Sequence, residues 1–202
     1  IDFGSNNGRL ININDKNIYY EEYGKGTPLL LLSGGGLHRS IKDFGKCIPE
    51  LSKHYRVIAP DTPGQGKSDQ TDSLSYDLLT DFMSLLIDSL EIDSAYVMGL
   101  SDGAIVALLL ADKRPDKIKK VVAVGANNGT RGFVLPDGFI LDSVKIPTVD
   151  NWAVWHEKDI EWYNTLTPKK DWRKMATNLN LMWYGKEYFP GSVYDNIKMP
   201  VM

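Results

Sequence analysis

The chain has one cysteine, Cys47, and three histidines in 202 residues. A single cysteine cannot build an internal disulfide framework, which fits a reducing compartment without requiring one. No apolar run approaches the roughly 18 residues that cross a bilayer. A basic excess is also missing. The 23 Lys and Arg face 26 Asp and Glu, a formal net charge of -3, and no basic cluster marks a nucleic-acid surface. No group of Cys, His and Asp has metal-ligand spacing, so neither a metal nor another cofactor is expected. There is no internal repeat and no low-complexity segment. The chain starts at Ile1 rather than Met. That leaves a removed leader open, and with it the choice between a cytoplasmic and an exported soluble protein. Oligomeric state is not legible in the sequence.

Hydrophobic residues make up 43% of the chain, enough for one sizeable core. Residues 1–8 are rich in Gly, Ser and Asn and read as loosely held. Arg9–Ile13 and Asn17–Tyr23 read as two strands joined by a turn at Asn14-Asp15. Leu29–Leu32 is a continuous apolar run, the pattern of a strand buried on both faces. The spacing of Ile41, Phe44, Ile48 and Leu51 predicts one helix over Ser40–Lys53, with Ser40 and Asp43 as a capping box. Tyr55–Ala59 is the next strand, and Asp61–Asp69 is a loop by composition. Ser75 caps a predicted helix with Leu78, Phe82, Leu85, Leu86 and Leu90 as its buried stripe. A strand over Lys120–Gly125 follows the segment treated next. Strands alternating with helices imply a doubly wound, mostly parallel sheet.

Between the last two strands lies Gly99-Leu100-Ser101-Asp102-Gly103. An apolar run stops at Gly99 and another begins at Ala104, which reads as strand, sharp turn and helix with Ser101 at the tip. Such a turn is tight, and side chains two residues either side of the serine would collide with neighbouring backbone. The helix start behind the serine favours developing negative charge. A nucleophile attacking a carbonyl needs both features. Two competing patterns fail. Gly66-Lys67-Ser68 imitates the end of a phosphate-binding loop, but Asp61 stands where that loop needs glycine. Gly34-Gly35-Gly36 does not fit a dinucleotide fingerprint.

Three ordered motifs now resemble the α/β-hydrolase superfamily. They are Leu31-Leu32-Ser33-Gly34-Gly35-Gly36, Asp61-x-Pro63-Gly64-x-Gly66-x-Ser68, and Gly99-x-Ser101-x-Gly103. The resemblance implies an α/β-hydrolase fold with residues 1–126 as core, 127–195 as an α-helical cap insertion, and 196–202 as the start of a returning core strand. It implies Ser101 as the catalytic nucleophile attacking an ester, thioester, amide or related carbonyl. It also implies an oxyanion hole from the backbone N–H groups of Gly35 and Asp102, with Gly36 as the next choice after Gly35. The Asp102 side chain is expected to point away along the helix. All five tryptophans lie after residue 150. Most read as cap packing; Trp152 and Trp155, with Gly36 and His38, are candidates to touch a small-molecule substrate.

Two departures from the family pattern stand out. Ser33-Gly34 occupies the place of a frequent His-Gly. The family's acid and histidine, which follow the nucleophile beyond the cap, have no match, so the C-terminal strands are expected to be missing from these 202 residues. Of the histidines present, His38 precedes Ser101, His54 ends a surface helix, and His156, with Asp137, Asp142 and Asp150 upstream of it, falls in the cap. The expected function is a serine hydrolase of a small carboxylic ester through an acyl-enzyme. Lactone, amide or carbon–carbon hydrolysis and peroxidation stay open. The alternative is a non-catalytic binding protein on the same fold.

Overall fold

Asn14 and Asp15 both take positive φ, 49° and 59°. That is the two-residue hairpin turn whose twist suits flanking strands, and it joins β1 (Arg9–Ile13) to β2 (Lys16–Tyr23). The structure is a computed structural model that describes residues 4, 7–129, 148–184, 188 and 191–202. Asp137, Asp142 and the first part of the expected cap lie outside the described residues. Four further strands follow: β3 (Thr27–Leu32), β4 (Tyr55–Pro60), β5 (Ala95–Leu100) and β6 (Ile118–Val124). The sheet order is β1-β2-β4-β3-β5-β6. β1–β2 and β2–β4 pair antiparallel; β3–β4, β3–β5 and β5–β6 pair parallel.

The Leu29–Leu32 run sits at the centre of this sheet. Leu30 and Leu32 join the core on one face, and Leu29 and Leu31 join the core on the other. Side chains alternate across a strand, so only a strand covered on both sides reads as unbroken leucine. Each such burial is worth about 1.5–3 kcal/mol. One face is covered by α2 (Tyr76–Ser89) and α3 (Asp102–Lys113). The other is covered by a 3₁₀ turn (Ile41–Phe44) and the single-turn α1 (Ile48–Leu51). After β3 the chain crosses to β4 on one side and then to β5 on the other. The carboxyl ends of β3 and β5 therefore flank the crevice where open α/β sheets bind ligands. Helices α4 (Val149–Trp155), α5 (Glu157–Leu166), α6 (Trp172–Trp183) and the short α7 (Val193–Asn196) come last. Beyond them Val201 bridges Val121 in parallel on the outer edge of β6.

Three expectations need correction. The helix over Ser40–Lys53 is two short pieces, because Gly45 ends the first and Pro49, which has no N–H to donate, sits in the first turn of the second. The Ser40–Asp43 capping box is absent. Ser40 Oγ accepts from Lys42 N–H, while the Asp43 carboxylate accepts from Gly34 N–H and Arg39. The buried stripe of α2 is Tyr76, Leu79, Phe82, Met83, Leu86 and Ile87. Leu85 is 37% exposed. The apolar set at i, i+3, i+4 and i+7 starting from Leu79 is the buried one. Gly4 N–H donates to the buried Glu21 carboxylate and Gly8 N–H to Tyr19 Oη.

The Asp61–Asp69 loop is stitched down by polar bonds. Asp61 Oδ1 accepts from Ile41 N–H at 2.9 Å and Oδ2 from Lys67 N–H at 2.8 Å. Ser68 Oγ donates to Asp61 O and accepts from Tyr19 N–H. Asp61 is fully buried, and burial pushes its carboxyl up to about 7 despite the two N–H donors. A folded-state value above the unfolded one means the folded chain binds the extra proton between about pH 4 and 7. Stability from this group is therefore present at the acid end and lost as pH rises through that window, by up to about 4 kcal/mol. Denaturant titrations at pH 4 and pH 7 should show the wild-type chain losing stability relative to Asp61→Asn over this interval. An interval with no relative change would remove the buried carboxyl as the cause.

Candidate active site

Ser101 has φ 53° and ψ -117°, a left-handed conformation that side chains rarely adopt. It follows β5 directly and is the N-cap of α3. Its N–H donates to Val124 O at 2.8 Å, which ties the turn to the end of β6. The flanking glycines are required by contact. A Cβ on Gly99 would lie 2.1 Å from Gly103 O, and a Cβ on Gly103 would lie 2.1 Å from Leu32 O. The turn thus presses directly on the end of β3.

The loop after β3 is held from two directions. Gly34 N–H donates to Asp43 Oδ2 at 3.2 Å. Gln65 Nε2, from the Asp61–Asp69 loop, donates to Gly34 O at 3.1 Å and to Gly36 O at 2.8 Å. The Gln65 amide is in turn fixed by the Thr62 hydroxyl. With the carbonyls of Gly34 and Gly36 turned toward Gln65, neither Gly35 nor Gly36 donates its N–H to a protein acceptor among the described residues. The Asp102 N–H opens α3 and has no partner four residues back. Gly36 has φ +139°, which favours glycine.

Asp102 departs from expectation. Its side chain does not run out along the helix but turns inward, 8% exposed. Oδ2 accepts from Trp183 Nε1 at 2.6 Å and Oδ1 from Tyr76 Oη at 3.0 Å. Burial pushes this carboxyl above its ordinary value, while the Trp183 and Tyr76 hydrogen bonds and the Arg39 charge pull it back. Gly35 and Asp102 line a small, mostly apolar cavity together with Leu79, Val106, Met175 and Leu179. Ser33, in the place of the frequent histidine, is buried, and its Oγ has no partner among the described residues.

The other sequence candidates are spread around this centre. His38 is half exposed; its Nδ1 is 3.3 Å from Asp159 Oδ2 in α5, which also meets His156 Nδ1 at 2.9 Å. His54 lies on the surface near Glu50. No histidine hydrogen-bonds Ser101 among the described residues. Trp152 is buried, donates to Asn180 Oδ1 at 3.0 Å and stacks on Trp183. Trp155 stands 63% exposed. Among the described residues, no group of three His, Cys, Asp or Glu could hold a metal ion, and no helix is long and apolar enough to cross a membrane. Gln65, Asp43 and Trp183 were missed in the sequence. Gln65 alone carried a signal there, as the variable position between two glycines of a recognised motif.

A family model described as alpha/beta hydrolase fold matches residues 27–179, and the chain belongs to that family. It is 35% identical over 106 residues to the 2-hydroxymuconate semialdehyde hydrolase of Pseudomonas sp. (strain CF600), a match covering 51% of this chain and 38% of that protein. It is 33% identical over 123 residues to the human serine hydrolase BPHL, covering 57% and 41%. The matched segments thus span less than half of these relatives' lengths. Among solved structures, a serine hydrolase involved in carbazole degradation superimposes with a TM-score of 0.72 at 19% identity, over 96% of this chain and 77% of that one. The enol-lactonase of Burkholderia xenovorans LB400 gives 0.69 at 20% identity, over 96% and 79%. Both likenesses speak to the fold.

The geometry makes Gln65 the brace of the loop. Gln65→Leu keeps the bulk and removes the donor, leaving Gly34 O without a partner. It should cost about 1–3 kcal/mol in a denaturant titration. A variant with unchanged stability would show that the loop needs no brace.

Proposed function

We propose that this chain carries the nucleophile and oxyanion hole of a serine hydrolase that acts on a small carboxylic ester or a related carbonyl compound. One observation carries the reading. Ser101 is held at φ 53° at the start of α3, beside a loop whose two middle N–H groups have no protein acceptor among the described residues. In the proposed mechanism Ser101 Oγ attacks the carbonyl carbon, and its proton passes to a general base. The oxyanion lies between the Gly35 and Asp102 N–H groups, with Gly36 able to stand in for Gly35. The leaving alcohol takes the proton, and water then releases the acyl group from Ser101 by the reverse route. Helices α4–α6 form the cap over this centre, and the cavity lined by Gly35 and Asp102 has room for little more than one water molecule. The hydrolase names of the relatives support the reaction class.

A serine hydroxyl needs a base, and the proposal gives that role to none of His38, His54 and His156. That no histidine hydrogen-bonds Ser101 among the described residues is the observation behind a second reading, a protein that binds ligands on this fold without turnover. One experiment separates the two. In the complete protein, Ser101→Ala should reduce hydrolysis of a short activated ester by on the order of 10⁴–10⁶ while its circular dichroism stays unchanged. Equal rates in wild type and variant would contradict the nucleophile assignment. Absence of turnover in both, with ligand binding retained, would favour the binding protein.

A further inference from the structure

We propose that the Asp102 side chain is a positioning residue that joins helix α6 to the nucleophile turn, so that the oxyanion loop holds its working geometry only when α6 is seated. The proposal rests on the serine-hydrolase reading of Ser101. The residue after the nucleophile contributes only a backbone N–H to that reaction, yet here its carboxylate is buried and accepts two donors from two distant elements. Trp183 Nε1 comes from the end of α6 and Tyr76 Oη from the start of α2, at 2.6 Å and 3.0 Å.

The links close a circuit. Trp183 O accepts from Tyr188 Oη at 2.6 Å. The Tyr188 ring packs on the Tyr76 ring with centroids 4.7 Å apart. Trp183 also stacks on Trp152, whose centroid is 5.7 Å away. The oxyanion loop rests against this circuit. The point where Gly35 would carry a Cβ is 1.8 Å from Asp102 Oδ2 and 3.1 Å from Trp183 Cζ2. The Gly35 peptide is therefore walled by the carboxylate and the indole together. If the indole leaves, the carboxylate loses one of its two neutral donors inside a dry site, and the wall behind Gly35 goes with it. Hydrogen bonds to a charged group are the strong ones, and a buried charge left short of donors is costly. Seating of α6 and the aim of the Gly35 N–H are thus one event.

Among the described residues, Arg39, Tyr76 and Tyr188 are the charged and titratable groups that face Asp102. Burial pushes Tyr76 and Tyr188 upward, so both stay neutral donors while Asp102 titrates.

The test uses Asp102→Ala, Asp102→Asn, Trp183→Phe and the double variant Asp102→Ala/Trp183→Phe in the complete protein. The first readout is the Trp183 indole N–H resonance, followed against pH by ¹⁵N-edited NMR. It should lie downfield and move with one titration in the wild type, and that titration should vanish in Asp102→Asn. The second readout is kcat and KM on a short activated ester. Asp102→Ala and Trp183→Phe should each lower kcat about 10-fold or more with KM changed far less, and the double variant should be no worse than the poorer single one. Asp102→Asn, which still offers an acceptor oxygen, should recover most of the loss. Additive losses, an unchanged kcat in Trp183→Phe, or an indole resonance that ignores Asp102 would each overturn the proposal. If Asp102→Ala does not fold, Trp183→Phe and the resonance decide alone. Failure of the serine-hydrolase reading would instead appear as turnover that survives Ser101→Ala, with the resonance still following Asp102.

Discussion

Everything at this centre depends on one close approach of backbone to backbone. The Ser101 turn has no room for a side chain at Gly99 or Gly103, because each Cβ would meet a carbonyl oxygen at 2.1 Å. That contact sets the end of β5 against the end of β3 and starts α3 immediately behind the serine. A non-glycine residue in the left-handed region costs on the order of 1–3 kcal/mol. Ser101 stays there because Val124 O holds its N–H and because α3, buried nearly all round, cannot shift. The strain is offset by the core on either side of the sheet.

Around the turn the chain uses buried polar groups as struts. Asp61 gathers the Ile41 and Lys67 N–H groups, Gln65 holds both carbonyls of the β3 loop, and Asp43 holds the Gly34 N–H. These residues sit on different segments, yet they act on one short loop. Their effect is to hold the Gly34 and Gly36 carbonyls and the Gly34 N–H in place. Helix α6 joins the same scaffold through Trp183, so the layer above the sheet and the loop beside the serine share a wall.

Much of this was legible in the sequence. The four-leucine run of β3 announced a strand covered on both faces, and the two glycines around Ser101 announced a turn with no space for Cβ. Those signals are local, because periodicity and glycine spacing act within a few residues. What stayed hidden came from distance. Nothing near Asp102 reveals that Trp183, 81 residues later, supplies an indole N–H that turns the carboxylate inward. Likewise, nothing near Asp43 reveals that its acceptor is needed by Gly34 rather than by its own helix cap. The helix expected over Ser40–Lys53 failed for a local reason that periodicity outweighed. Its apolar spacing was right, but Gly45 and Pro49 interrupted the backbone.

The central claim is that Ser101 forms a covalent acyl bond. The most direct measurement is to quench the complete protein during reaction with an activated ester, take the intact mass, and map the adduct by peptide digestion. The account predicts a single acyl addition on the peptide that contains Ser101, with the mass of the ester's acyl group. Hydrolysis that proceeds with the adduct on another residue, or with none trapped under conditions where deacylation is slow, would contradict it.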